Sequence, residues 1–142
     1  MRVPLLLCLA ASTALAACSG VGGPRVERGN ASISGRIVYP SEVTPAMRVC
    51  AVRAPEAAPI CLDSRAGRAH FTLKGLPAGD YQIVAKLAEG DIRVGGHVQE
   101  VQCVRAPCLN PLKTISVAAG ERVSGADLNE FDAAREDFPT IP

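Results

Sequence analysis

From Ala31 onward the chain runs in short stretches that alternate apolar and polar residues and are broken by proline and glycine. A period of two sends successive side chains to opposite faces of an extended backbone, so each stretch reads as a strand with one buried face. In Ile33-Ser34-Gly35-Arg36-Ile37-Val38-Tyr39, one face carries Ile33, Gly35, Ile37 and Tyr39, and Pro40 with Ser41 ends the run. Met47 to Arg53 alternates Met47, Val49 and Ala51 against Arg48, Cys50 and Val52. Phe71 and Leu73 point inward between His70, Thr72 and Lys74. Few long helical periods occur before the tail.

The segment from Lys74 to Leu87 is the most informative. Pro77 presets the φ of a turn, Gly79 supplies a backbone conformation that other residues resist, and Tyr81, Ile83, Ala85 and Leu87 then alternate as a half-buried strand. Further runs cover Val94 to Val101, Leu112 to Ala118 and Arg122 to Phe131. Gly125 shifts the alternation between Val123 and Leu128, as a bulge does. About seven short strands in roughly 100 residues predict an all-β fold of two packed sheets.

Three stretches together resemble the carboxypeptidase regulatory-like domain, a transthyretin-like (prealbumin-like) β-sandwich. They are Ile33-Ser34-Gly35-Arg36-Ile37-Val38, the turn and strand from Gly75-Leu76-Pro77-Ala78-Gly79-Asp80-Tyr81 to Ala85, and Val117-Ala118-Ala119-Gly120-Glu121-Arg122-Val123-Ser124-Gly125-Ala126-Asp127-Leu128. The resemblance extends over nearly all of residues 31–131. It implies a seven-stranded Greek-key sandwich of transthyretin/immunoglobulin-like type and an accessory, binding or structural role. It implies no reaction.

The N-terminus reads differently. Arg2 supplies a positive start, and Val3 to Ala17 is apolar apart from Pro4, Ser12 and Thr13, too short to span a bilayer as a helix. Residues 1–17 are expected to be a signal peptide, with Cys8 discarded in it. Leu15-Ala16-Ala17-Cys18 resembles the lipobox of bacterial lipoproteins, in which the cysteine thiol receives diacylglycerol. Hydrocarbon contributes about 0.8 kcal/mol per buried methylene, so the chains on Cys18 would hold the protein on a membrane effectively permanently. By resemblance to the sorting rule of these lipoproteins, Ser19 rather than Asp after that cysteine implies an outer-membrane lipoprotein of a two-membrane cell. The periplasmic face is the expected side, although Ser19 does not determine it. Residues 18–30, rich in glycine and charge, are expected to be a tether, and residues 132–142 a tail that frays or docks through Phe138 and Ile141.

Composition narrows the function. With 142 residues and 48% apolar, there is room for one domain with a folded core. The 15 basic and 14 acidic residues become 14 against 14 once the leader takes Arg2 away, which gives no electrostatic reason to expect nucleic acid. Aromatics make up 4% with no tryptophan, little material for gripping sugars or bases.

Four cysteines remain in the domain, Cys50, Cys61, Cys103 and Cys108, and they allow three pairings. In an oxidising compartment disulfides lead, and the two local pairs, Cys50 with Cys61 and Cys103 with Cys108, each close a short loop containing proline. The alternative is a metal site built from His97, Cys103 and Cys108, with His70 approaching from another strand. Asp127, Asn129, Glu130 and Asp132 form an acidic cluster that reads as a solvated strand end rather than a calcium loop. No Gly-x-Ser-x-Gly elbow, His-Glu-x-x-His motif or phosphate loop occurs. The expectation is a non-catalytic envelope lipoprotein without a cofactor, which binds or supports a protein partner, and the alternative is a periplasmic metal-binding protein.

Overall fold

A computed structural model describes residues 27–53, 57–89, 93–106, 108–132 and 135–142. The expected signal peptide, Cys18 and most of the expected tether lie outside these residues. The last stretch of that tether is tied to the domain: the Gly29 N–H donates to the Gly75 carbonyl at 2.9 Å, and Arg53 pairs with Glu27 at 2.7 Å.

The described residues are all-β, with nine strands and no helix. In chain order these are β1 (Ala31–Arg36), β2 (Met47–Arg53), β3 (Ile60–Asp63), β4 (His70–Leu76), β5 (Gly79–Leu87), β6 (Val94–Gly96), β7 (Ile115–Val117), β8 (Arg122–Val123) and β9 (Glu130–Asp132). A three-stranded sheet has the order β4-β1-β8. A six-stranded sheet has the order β3-β2-β5-β6-β9, with β7 also pairing with β5.

Nine strands stand where the sequence predicts about seven, because the late apolar runs are divided. Residues of the run from Arg122 to Phe131 serve both sheets: β8 lies parallel to β1, Leu128 bridges Ile37, and Glu130 with Phe131 pairs with β6 of the other sheet. Along β1 the partners advance from Ile33 to Ile37, four residues, while on the other side they advance from Val123 to Leu128, five. The extra residue is absorbed around Gly125, whose φ of 81° few other residues adopt.

The main core lies between the sheets. Ile33, Phe71 and Leu73 from the small sheet meet Met47, Val49, Ala51, Tyr81, Ile83 and Ala85 from the large one, as the period of two predicts. The Tyr81 hydroxyl reaches the edge of this layer and donates to the Pro77 carbonyl at 2.7 Å, so its burial leaves no polar atom unmatched. The other face of β2 and β5 is buried as well. Cys50, Val84 and Val98 form a second apolar cluster there, covered by Phe138 and Ile141. The tail is therefore a strap over the back of the large sheet, and it is pinned where Lys86 donates to the Ile141 carbonyl and Arg48 to the Pro142 carbonyl, at 3.2 and 3.3 Å.

Candidate functional site

β6 leaves the edge of β5 at His97, whose N–H donates to the Ile83 carbonyl at 3.0 Å. The chain then runs outward and returns. Val98 pairs with Leu112, the Gln99 N–H donates to Pro111 at 2.9 Å, and the Lys113 N–H donates to His97 at 2.8 Å. The excursion ends in an exposed tip that carries Val101, Val104 and Leu109, and Val104 is 93% exposed.

Cys103 and Cys108 close this tip as a disulfide, with their Cα atoms 5.8 Å apart. Cys50 and Cys61 form the other pair, on directly opposed residues of β2 and β3 with Cα atoms 4.1 Å apart. These are the two local pairs that the sequence favours. They differ in setting: Cys50 is fully buried in the second cluster, whereas Cys103 and Cys108 are exposed.

The base of the loop is held by Asn110 of the loop itself, by Asn129 and Glu130 where β9 begins, and by Arg135 of the tail. Asn110 accepts from the Val101 N–H at 3.0 Å and donates to Glu130 at 2.5 Å. Asn129 accepts from the Val98 N–H at 3.0 Å. Arg135, with its side chain 2% exposed, pairs with Glu130 and Asp137 and donates to the Asn110 carbonyl at 2.9 Å. Its hydrogen bond to Asp137 raises the guanidinium pKa and holds the Asp137 carboxyl below the usual carboxylate range. The loop thus has a stiff foot and an apolar tip.

The residues of the alternative metal site do not converge. A disulfide consumes both thiolates of Cys103 and Cys108. The His97 Nδ1 lies 2.7 Å from the Asp127 carbonyl, which can only accept, so that nitrogen carries the proton. His70 lies on the outward face of β4, opposite Arg36. Among the described residues no three His, Cys, Asp or Glu side chains are placed to hold a metal ion. Members of the acidic cluster point to separate structural partners: Asp127 to Arg36, Asn129 to Val98, and Glu130 to Asn110 and Arg135.

Sequence reasoning missed the network of Arg135, Glu130 and Asn110. A single arginine in a charged tail has no periodic neighbour to mark it, and the only local hint is Phe138 three residues on. No family model, curated protein or solved structure matches the chain.

Proposed function

We propose that this chain is a non-catalytic envelope lipoprotein, anchored through lipid on Cys18, whose sandwich presents the loop from Gln99 to Pro111 to a protein partner. The observation that carries this is the exposure of Val104 at the end of a loop closed by Cys103 and Cys108 and fixed at its base by Asn110 and Arg135. Exposed aliphatic side chains on a rigid protrusion cost solubility and gain nothing for the core. A loop held at its base and closed by a disulfide gives up less conformational entropy when it docks than an open one.

Two cysteine pairs suit a protein exported to an oxidising compartment. The leader, the lipobox-like Leu15-Ala16-Ala17-Cys18 and Ser19 support the outer membrane as the destination. The likeness to carboxypeptidase regulatory-like domains, with their seven-stranded Greek-key sandwich, fits a binding role.

A photo-crosslinking residue at Val104 of the full chain in growing cells tests the contact. One discrete adduct is expected at Val104 and none with the same residue at Ser116, exposed on β7. Absence of a discrete adduct, or the same adduct from both positions, overturns the proposal. The anchor is tested separately: mass spectrometry of the mature protein is expected to find fatty acid on Cys18, and an unmodified amino end there would remove the anchor.

A further inference from the structure

The outward face of the small sheet carries a feature that the loop proposal does not use. Ser32 of β1 lies directly opposite Lys74 of β4 on one side and Arg122 of β8 on the other. All three side chains face away from the core, since Ala31, Ile33 and Leu73 between them are buried. Neighbouring strands lie about 4.8 Å apart, so Lys74 and Arg122 are roughly 10 Å apart at their Cα atoms, and both side chains are long enough to converge over Ser32.

The row borders a groove of about 470 Å³ lined by Asn30, Ser32, Ser34, Thr72, Lys74 and Arg122 among others, with no carboxylate in its walls. Among the described residues neither Lys74 nor Arg122 has an ion-pair partner. The nearest acidic side chain in sequence, Glu121, accepts from the Ala118 N–H at 2.7 Å within its own turn. Arg28 and Lys74 border an adjoining groove, which adds a third cation at this end of the sheet.

The backbone is shaped for the hollow. Pairing between β1 and β4 jumps from Ala31 with Leu76 to Ser32 with Lys74, which leaves Gly75 as an extra residue with φ of 76°. A bulge of this kind bends the strand and re-aims the side chain beside it, here Lys74.

We infer that the row of Lys74, Ser32 and Arg122 is a binding site for a phosphate group. A guanidinium fork from one strand, an ammonium from the other and a hydroxyl between them offer donors from three directions. That suits the tetrahedral oxygens of a phosphate better than the flat pair of a carboxylate. The phosphate is either free or the headgroup of a lipid, and the site stands whether or not Val104 contacts a partner.

The test follows the amide signals of Ser32, Ser34 and Thr72 by NMR in the full chain held in nonionic micelles. One arm titrates inorganic phosphate, and a second dopes the micelles with phosphatidylglycerol, with phosphatidylcholine as reference. A saturable shift is expected, weakened about tenfold or more in Lys74→Gln and in Arg122→Gln and unchanged in Lys113→Gln. Response to both ligands assigns a general phosphate site, and response to phosphatidylglycerol alone assigns a headgroup site. No saturable shift with either ligand, or a response in Lys74→Gln and Arg122→Gln as strong as the parent's, overturns the inference. Unfolding midpoints of the variants, expected to match the parent because both positions are exposed, separate lost binding from lost fold.

Discussion

The Arg135 guanidinium lies over the ring of Phe138, its Cζ 4.4 Å from the ring centroid. This stacking joins the two devices that close the back of the large sheet, the apolar cover and the polar network under the loop. A charge buried to this degree is tolerated because Glu130, Asp137 and the Asn110 carbonyl engage four of its five N–H donors. Arg135→Ala is expected to lower unfolding free energy by about 3 kcal/mol, the scale for breaking a buried pair. Hydrogen exchange at the Val101 amide is expected to speed up with it, since that amide hangs on Asn110. A variant with parent stability would show that the network is dispensable.

Phe138 and Ile141 are 7% and 8% exposed, against Cys50, Val84 and Val98. Phe138→Ala is expected to cost about 3 kcal/mol, from lost transfer energy and the hole left over Val84. For a domain of this size that lowers the midpoint of a thermal melt by roughly 12 °C or more. Removing residues 135–142 is expected to cost more than Phe138→Ala alone. Equal midpoints for the parent and truncated chains would mean that the strap contributes nothing.

Gly35 and Gly95 both lack space for a methyl group, but for different reasons. A Cβ on Gly35 would lie 2.5 Å from the Ala126 carbonyl carbon and 3.0 Å from the Asp127 nitrogen, so backbone must move. A Cβ on Gly95 would meet the Phe131 ring, which packs edge-on against Tyr39, so a side-chain rotamer rather than backbone has to give. Gly35→Ala is expected to destabilise by about 3 kcal/mol and Gly95→Ala by about 1 kcal/mol. Denaturant titrations giving equal losses would show that the distinction between backbone and side-chain neighbours does not hold here.

The inward residues Met47, Val49, Ala51, Phe71, Leu73, Tyr81, Ile83 and Ala85 were legible because a period of two is a local property of each strand. So was the irregularity at Gly125, which breaks the alternation within a few residues. Burial of Cys50 and Val84 was not legible: the same alternation points them outward, and only Phe138 and Ile141, far along the chain, put a cover over them. The strand count also failed for a nonlocal reason, since Arg122 to Phe131 reads as one run and the change of sheet depends on pairing with β1 and then β6. Lys74 and Arg122 each read as ordinary exposed strand residues. Their relation through Ser32 exists only in the register of three strands.

Asp127 fastens β1 to the segment that crosses between the sheets. Its carboxylate accepts from the Arg36 backbone N–H at 2.8 Å and from the guanidinium at 3.1 and 2.8 Å. The Arg36 hydrogen bond holds the Asp127 carboxyl below the usual carboxylate range, and Arg48 and Arg135 do the same for Asp63 and Asp137. A carboxyl with a lower pKa folded than unfolded takes up its proton first in the unfolded chain. Its contribution is therefore complete above the unfolded value of about 4 and is lost as pH falls through the folded one. Stability measured by urea titration is expected to fall steadily below about pH 4. Asp127→Asn is expected to cost about 1 kcal/mol at neutral pH, a small figure because the Arg36 side chain is 62% exposed, and to flatten the acid limb. If the Asn variant and the parent ran parallel from pH 5 to pH 2, the acid sensitivity would have to come from the other carboxylates, Asp63 and Asp137 first among them.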